Sequence, residues 1–115
     1  MASSKEYLDY ILDCLSGLDE ITTRKMMGEY MIYFRSKLVG GIYDNKFLVK
    51  DFSSAQRLMP DAPRELPYEG AKPMLLVENA EDRTFISQLF DTLYSELPAP
   101  KQRKKKQMLL YAISN

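Results

Sequence analysis

Residues 29–50 read EYMIYFRSKLVGGIYDNKFLVK, and this stretch predicts an antiparallel meander. Its three runs are rich in aromatic and β-branched residues, which are typical of strands. The residues at 35–37 favour a tight reversal. Asp44 and Asn45 favour a hairpin turn, because both residue types tolerate left-handed backbone angles. The predicted strands are residues 29–35, 38–43 and 47–50.

The first of these strands is apolar on both of its faces. Tyr30, Ile32 and Phe34 share one face, because side chains alternate along a strand. Met31 and Tyr33 share the other face. A strand with two apolar faces is usually covered on both. We therefore expect other parts of the chain to pack against each side of it.

Gly40 and Gly41 stand in the middle of the second strand. Glycine weakens a strand interior, so we expect something at this position to require it. A β-bulge or a helix packed close over the backbone would explain the pair, and so would a ligand that approaches the backbone. The sequence leaves these explanations open.

Amphipathic patterns predict two long helices and one short helix around the strands. The first long helix covers about residues 4–17, where residues 3–6 have the form of a capping box. The short helix begins with a second capping-box pattern at residues 53–56. The second long helix follows a predicted strand at residues 74–78 and is expected to be capped by Asn79.

The order of elements is therefore helix, three strands, short helix, strand, helix and tail. We expect an α+β fold, a two-layer sandwich in which an antiparallel sheet of about four strands is packed by two long helices and one short helix. The sandwich is expected to occupy residues 1–98, and a basic C-terminal tail residues 99–115.

The composition excludes several kinds of site. The 115 residues include no His and one Cys, which excludes Ser–His–Asp and Cys–His nucleophilic sites, His-bearing zinc sites and intramolecular disulfides. We expect the cysteine, Cys14, to be a core residue of a protein from a reducing compartment. The sequence shows no signal peptide and no apolar run of membrane-spanning length. It thus predicts a cytoplasmic protein without a membrane partner, and no catalytic, metal or cofactor site.

The net charge of zero hides an uneven distribution. Residues 101–115 hold five of the sixteen basic residues and none of the sixteen acidic ones, so the rest of the chain is acidic. The five bases could contact phosphates of a polyanion without sequence specificity, or could form a solvated tail. Residues 107–114, QMLLYAIS, are apolar and could dock on a partner, on another copy or on the body. The candidate polyanion-binding residues are Lys101, Arg103, Lys104, Lys105 and Lys106.

The most distinctive stretch is residues 24–30, RKMMGEY. Methionines give an adaptable surface that suits either core filling or a protein partner. One interpretation is structural: a strand entry in which Arg24 holds a carboxylate across the fold and Gly28 supplies an unusual backbone angle. The other is a partner-binding surface. Its candidate residues are Arg24, Met26, Met27, Gly28, Glu29 and Tyr30.

This stretch resembles the Arg-x-Met-Phe-Gly-Gly-Tyr signature of the TfoX/Sxy N-terminal domain, with Met27 and Glu29 in place of Phe and Gly. The resemblance covers roughly residues 5–97. Its further parts are, in order, the strand at Tyr33, residues 38–43, residues 44–50 and residues 67–68 before the strand at Met74. It implies a small α+β domain from bacterial regulators of competence for DNA transformation. The better-known members carry a second, helical C-terminal domain. The resemblance implies that such proteins act as co-activators with the cyclic-AMP receptor protein and are not enzymes.

The chain resembles this N-terminal domain in a free-standing form. We therefore expect a non-enzymatic regulatory interaction domain that acts through a protein partner. The partner could be the transcription machinery, a regulator of the cyclic-AMP receptor type, or a second copy in a homodimer. The alternatives are a nucleic-acid-binding accessory protein that uses the basic tail, and a small-ligand-binding domain with a pocket near Gly40, Gly41 and Arg24.

Overall fold

The computed structural model describes residues 3–98, which form an α+β fold with one antiparallel sheet. No helix within this range is long and apolar enough to cross a membrane. The elements, in chain order, are α1 (Lys5–Cys14), β1 (Ile21–Met26), β2 (Glu29–Phe34), β3 (Lys37–Tyr43), β4 (Lys46–Val49), α2 (Ser53–Leu58), β5 (Arg64–Glu65), β6 (Met74–Leu76) and α3 (Arg83–Glu96).

The sheet has the strand order β1-β2-β3-β4-β6-β5, and every neighbouring pair is antiparallel. The four expected strands correspond to β2, β3, β4 and β6, so the expected number was too low. β1 escapes sequence prediction because residues 22–26 are all exposed and carry no apolar alternation. β5 escapes it because two residues are too few for a periodic signal.

The helices pack against one face of the sheet, which we call the helix face. Tyr30, Ile32 and Phe34 of β2 point into a core that also contains Leu89 and Phe90 of α3. The rings of Phe34 and Phe90 meet edge to face, with centroids 5.6 Å apart. Other core residues come from α1 and α2, among them Leu8, Ile11, Cys14 and Ala55. The two-layer sandwich and the core position of Cys14 are thus confirmed.

The opposite face of the sheet, the open face, has no helix over it within the described range. Met31 and Tyr33 of β2 lie on this face and remain partly exposed. The expectation that β2 is covered on both sides therefore holds only for the helix face. The loop that joins β5 to β6 lies beside the open face of β2 and leaves Met31 and Tyr33 partly exposed.

Three two-residue hairpins fix the alignment of β1 to β4. Their turn residues are Met27-Gly28, Arg35-Ser36 and Asp44-Asn45, and all six have positive φ angles. Two successive positive φ angles characterise type I′ turns, whose twist matches that of the strands they join. The turns at residues 35–36 and 44–45 are those that the sequence predicts. The third turn, at residues 27–28, accompanies the additional strand β1.

The glycine pair of β3 is explained by the sheet itself. The pairing of β2 with β3 shifts between Ile32 and Tyr33, which marks a β-bulge. A Cβ atom on Gly40 would lie 2.0 Å from the carbonyl oxygen of Leu48, and one on Gly41 would lie 2.5 Å from that of Tyr30. No larger residue fits either position without movement of the backbone. A bulge, one of the explanations that the sequence left open, is therefore present.

The helix caps differ from the expected ones. Ser4, and not Ser3, caps α1 by accepting a hydrogen bond from the Tyr7 amide. Asp82, and not Asn79, caps α3 in the same way. The expected capping box of α2 is wrong, because Phe52 occupies the N-cap and makes no side-chain bond to the helix. The hydroxyls of the α2 serines are engaged elsewhere, by a carboxylate of α3.

Glu96, at the end of α3, holds the start of α2. Its carboxylate accepts hydrogen bonds from the hydroxyl of Ser53 and from both the hydroxyl and the amide of Ser54, the latter two at 2.7 and 2.8 Å. These bonds stabilise the ionised carboxylate and lower the pKa of Glu96 to about 2. The contact between α2 and α3 is therefore stronger when Glu96 is charged than when it is protonated.

We predict that replacing Gly40 with Ala destabilises the fold by about 1–3 kcal/mol, a range typical of overpacked sites. The matched control is Gly17→Ala, because a Cβ at Gly17 meets nothing closer than the Arg83 guanidinium at 3.9 Å. Urea unfolding followed by circular dichroism gives both values. Equal stabilities for the two variants would contradict the assignment of the bulge as the reason for glycine.

A second prediction concerns acid stability. The folded-state pKa of Glu96 lies below its ordinary value of 4.5, so its contribution is present above about pH 4.5 and is lost as the pH falls towards about 2. Glu96→Gln should reduce stability at neutral pH and flatten the decline over this interval. Asp91→Asn is the control, since Asp91 is exposed on the same helix and makes no ion pair or side-chain hydrogen bond within residues 3–98. Parallel pH profiles for wild type and Glu96→Gln would refute the prediction.

Candidate functional site

A long groove crosses the open face of the sheet and has a volume of about 1480 Å³. One side is formed by the β1–β2 hairpin and the outward side chains of β2 and β3. The other side is formed by the proline-rich loop before β6. Four of its lining side chains are methionines, and we call it the methionine groove. These residues are Met26, Met27, Met31 and Met74.

Strand register places these side chains together. Met26 is paired with Glu29, Arg24 with Met31, and Met31 with Gly41, so these positions lie on the same face of the sheet. The Tyr43 ring covers Gly41 on this face, because a Cβ on that glycine would meet ring atoms at 2.8 Å. The floor of the groove is therefore set by period-two alternation along β1, β2 and β3.

The rim of the groove exposes large apolar side chains. Met27 at the hairpin tip is 95% exposed and Met26 is 47% exposed. Leu66 and Tyr68 in the opposite loop are 57% and 66% exposed. Of the five large apolar side chains that are exposed within residues 3–98, only Tyr10 lies elsewhere. An apolar cluster of this kind marks an interaction surface more often than scattered single residues do.

Two carboxylates that line the groove are engaged by the protein itself. Asp51 accepts a hydrogen bond from Nε of Arg64 at 2.7 Å and one from the side-chain amide of Gln56 at 2.7 Å. The bond from Arg64 lowers the pKa of Asp51. Its charge is thus compensated by a guanidinium of β5.

Glu29 ties the hairpin end of the groove to the start of the chain. Its carboxylate accepts a hydrogen bond from the Ser3 hydroxyl at 2.5 Å and one from the Asp44 amide at 3.2 Å. The Ser3 oxygen in turn accepts from the Asn45 amide at 3.0 Å, and the Ser3 amide donates to the Gly28 carbonyl at 3.1 Å. Ser3 therefore connects the β1–β2 turn to the β3–β4 turn.

The structure divides the candidate residues of the 24–30 stretch into three groups. Met26, Met27 and Glu29 line the groove. Tyr30 belongs to the core on the helix face, where it is buried. The remaining two are Arg24, which is exposed on β1, and Gly28, which has a φ of 85° in the turn.

The interpretation in which Arg24 holds a carboxylate across the fold is not supported within residues 3–98. Among the ion pairs and side-chain hydrogen bonds of residues 3–98, none involves Arg24. Gly28, by contrast, has the unusual backbone angle that was expected of it. The tail residues lie outside the described range. They are Lys101, Arg103, Lys104, Lys105 and Lys106.

Sequence reasoning did not find the far side of the groove. The loop folds back beside the open face, and this places Leu66, Tyr68 and Met74 in the same groove as the β1–β2 hairpin. Lys50, the residue after β4, lines the same groove. Alternation along β2 does indicate that Met31 faces away from the core, but no local signal indicates which segment lies opposite it.

A second, smaller depression of about 590 Å³ lies between the end of α1 and α3. Cys14 and Arg83 are among its lining residues. The Arg83 guanidinium is used within the fold, since it donates to the Ser16 hydroxyl at 2.9 Å and to the Asp13 carbonyl at 3.1 Å. Burial raises the pKa of the Cys14 thiol, which opposes formation of the reactive thiolate.

Comparisons with known proteins give one relative and no family. The chain is 29% identical over 107 residues to a Spirochaeta aurantia protein described as an uncharacterized 12.7 kDa protein in the trpE 5′ region. The match spans 92% of this chain and 93% of the relative. No family model and no solved structure matches. The similarity thus extends over nearly the whole of both proteins, and the relative's description states no activity.

We predict that Ser3→Ala destabilises the fold by about 1–2 kcal/mol, because it removes one hydrogen bond from the half-buried Glu29 carboxylate and the acceptor of the Asn45 amide. Protection of the Asn45 amide against hydrogen exchange should fall in the same variant. Ser87→Ala is the control, since Ser87 is exposed on α3. Unchanged protection at Asn45 would show that Ser3 does not connect the two turns.

Proposed function

We propose that this protein is a non-enzymatic regulatory interaction domain that binds a partner protein through the methionine groove. The observation that carries the proposal is the apolar rim, where Met26, Met27, Leu66 and Tyr68 all expose a large fraction of their surface on one groove. Exposed apolar surface of this extent is costly in water, and burial against a partner recovers that free energy.

The chemistry of the groove supports binding more than catalysis. Of the four carboxylates that line the groove, those of Glu29 and Asp51 are held by Ser3 and Arg64, so neither of these two is poised as a general base. The sequence has no histidine, and no group of three potential metal-ligating side chains occurs within residues 3–98. Methionine side chains are flexible and polarizable, which suits them to adaptable protein contacts.

The resemblance to the TfoX/Sxy N-terminal domain supports a regulatory role for such contacts. On this proposal the partner belongs to the transcription machinery or is a regulator of the cyclic-AMP receptor type, in the cytoplasm of a bacterium. A second copy of this chain is the other candidate partner. The basic tail offers an alternative through nucleic acid, because its five positive charges would attract phosphates that the acidic body repels.

The test is affinity capture of partners from the native cell by the tagged full-length chain, with the recovered proteins quantified by mass spectrometry. Met27→Asp should reduce partner recovery about tenfold, because a charge at the apolar rim opposes desolvation of the interface. Thr23→Asp is the control: Thr23 is also exposed, but it pairs with Ile32 and so lies on the opposite face of the sheet.

A third variant lacks residues 101–115. If the groove carries the interaction, this deletion leaves partner recovery unchanged. Loss of recovery on deletion, together with full recovery for Met27→Asp, would reject the proposal in favour of the nucleic-acid alternative. Recovery of untagged copies of this chain would identify the partner as a second copy.

A further inference from the structure

Lys50 is the unusual charge of the methionine groove. It follows β4 directly, its amide donates to the Val39 carbonyl at 2.9 Å, and its half-buried side chain lines the groove. Desolvation of the ammonium by the surrounding protein lowers the pKa of Lys50. A partly buried cation thus lines a groove that also carries four methionines.

The other half-buried lysines of residues 3–98 have partners. The ammonium of Lys37 donates to the Tyr94 carbonyl at 2.9 Å and lies 4.0 Å from the Tyr94 ring centroid. The ammonium of Lys46 lies 3.3 Å from a Glu65 oxygen. The Lys50 ammonium makes no ion pair and no hydrogen bond within this part of the chain.

Four carboxylates line the groove, those of Glu29, Asp44, Asp51 and Glu69, and none forms an ion pair with Lys50 within residues 3–98. Asp51, its neighbour in sequence, is taken by Arg64 and Gln56. Glu29 is taken by Ser3 and by the Asp44 amide at the hairpin end. A partly desolvated cation without a counter-ion costs free energy, which a carboxylate brought by a partner would recover.

The size of the groove favours a polypeptide over a small molecule. Pockets for small ligands commonly measure roughly 300–1,000 Å³ and enclose their ligand. The methionine groove, at about 1480 Å³, is larger and lies open along the sheet. Its lining is largely apolar and includes four methionines, as in grooves that accept apolar protein segments.

We propose that the methionine groove binds an apolar segment of a partner protein that places an Asp or Glu side chain against the ammonium of Lys50. This inference rests on the proposed function, since it specifies the chemistry of the partner at the same site. The apolar residues of the segment cover Met31, Met74 and the rim. The single carboxylate fixes its register.

The experiment begins with a random-peptide display library selected on the full-length chain. The selected peptides should combine apolar residues with an acidic one. The strongest is then synthesised together with its Glu→Gln or Asp→Asn form, and both are measured by fluorescence anisotropy. On the wild-type chain the amide form should bind about tenfold more weakly, the effect of losing a hydrogen bond to a charged group.

Two lysine variants complete a double-mutant cycle. In Lys50→Met, the acidic peptide and its amide form should bind with equal affinity. In Lys25→Met, the control, the tenfold difference should persist, because Lys25 is exposed on β1 and pairs with Tyr30, which places it on the helix face. Thermal unfolding confirms that both variants are folded.

The outcomes separate this inference from the proposed function. Equal affinities of the two peptide forms for the wild-type chain would overturn the role of Lys50, while loss of partner recovery in Met27→Asp would still support an interaction domain. A library that yields no peptide, with dimerisation that Lys50→Met abolishes, would assign the groove to a second copy and overturn the inference. Unchanged partner recovery in Met27→Asp would by itself reject the proposed function.

Discussion

The register of β2 between β1 and β3 is the constraint on which both faces of the molecule depend. A shift of one residue would exchange the inward set Tyr30, Ile32 and Phe34 for the outward Met31 and Tyr33. Three type I′ turns fix this register at the strand ends. The bulge at Gly40 adjusts it in the middle, where β3 passes too close to β4 for any side chain. The same strand alignment therefore determines both the core on the helix face and the groove on the open face.

Most polar groups that the fold brings out of water are paired over long sequence separations. Ser3 meets Glu29, Ser54 meets Glu96, and Arg64 meets Asp51. Each pair connects different elements, so these contacts position the helices and turns relative to the sheet. Lys50 contrasts with them within residues 3–98, because its partly desolvated charge faces the groove instead of another side chain of the fold. This contrast distinguishes the groove from an ordinary surface furrow.

Much of the fold could be predicted from local patterns. The meander at residues 29–50, two of its turns, the two long helices and the core position of Cys14 follow from alternation, helical spacing and turn chemistry. The edge strand β1 could not, because an edge exposed on both faces needs no apolar pattern. The helix caps were also predicted at the wrong residues, Ser3, Ser53 and Asn79. The two serines bond to distant carboxylates, and Asp82 takes the cap that was expected of Asn79.

The sequence by itself determined the α+β class, the antiparallel meander and the distinctive 24–30 stretch, because these depend on residues close together in the chain. Only the tertiary structure decided that this stretch divides between the core, where Tyr30 lies, and the groove, where Met26 and Met27 lie. It also brought Leu66 and Tyr68 to the same groove as the methionines. In that groove Lys50 has no counter-ion within residues 3–98. Which residues line the groove depends on the path of the loop beside the open face, and local sequence spacing does not specify that path.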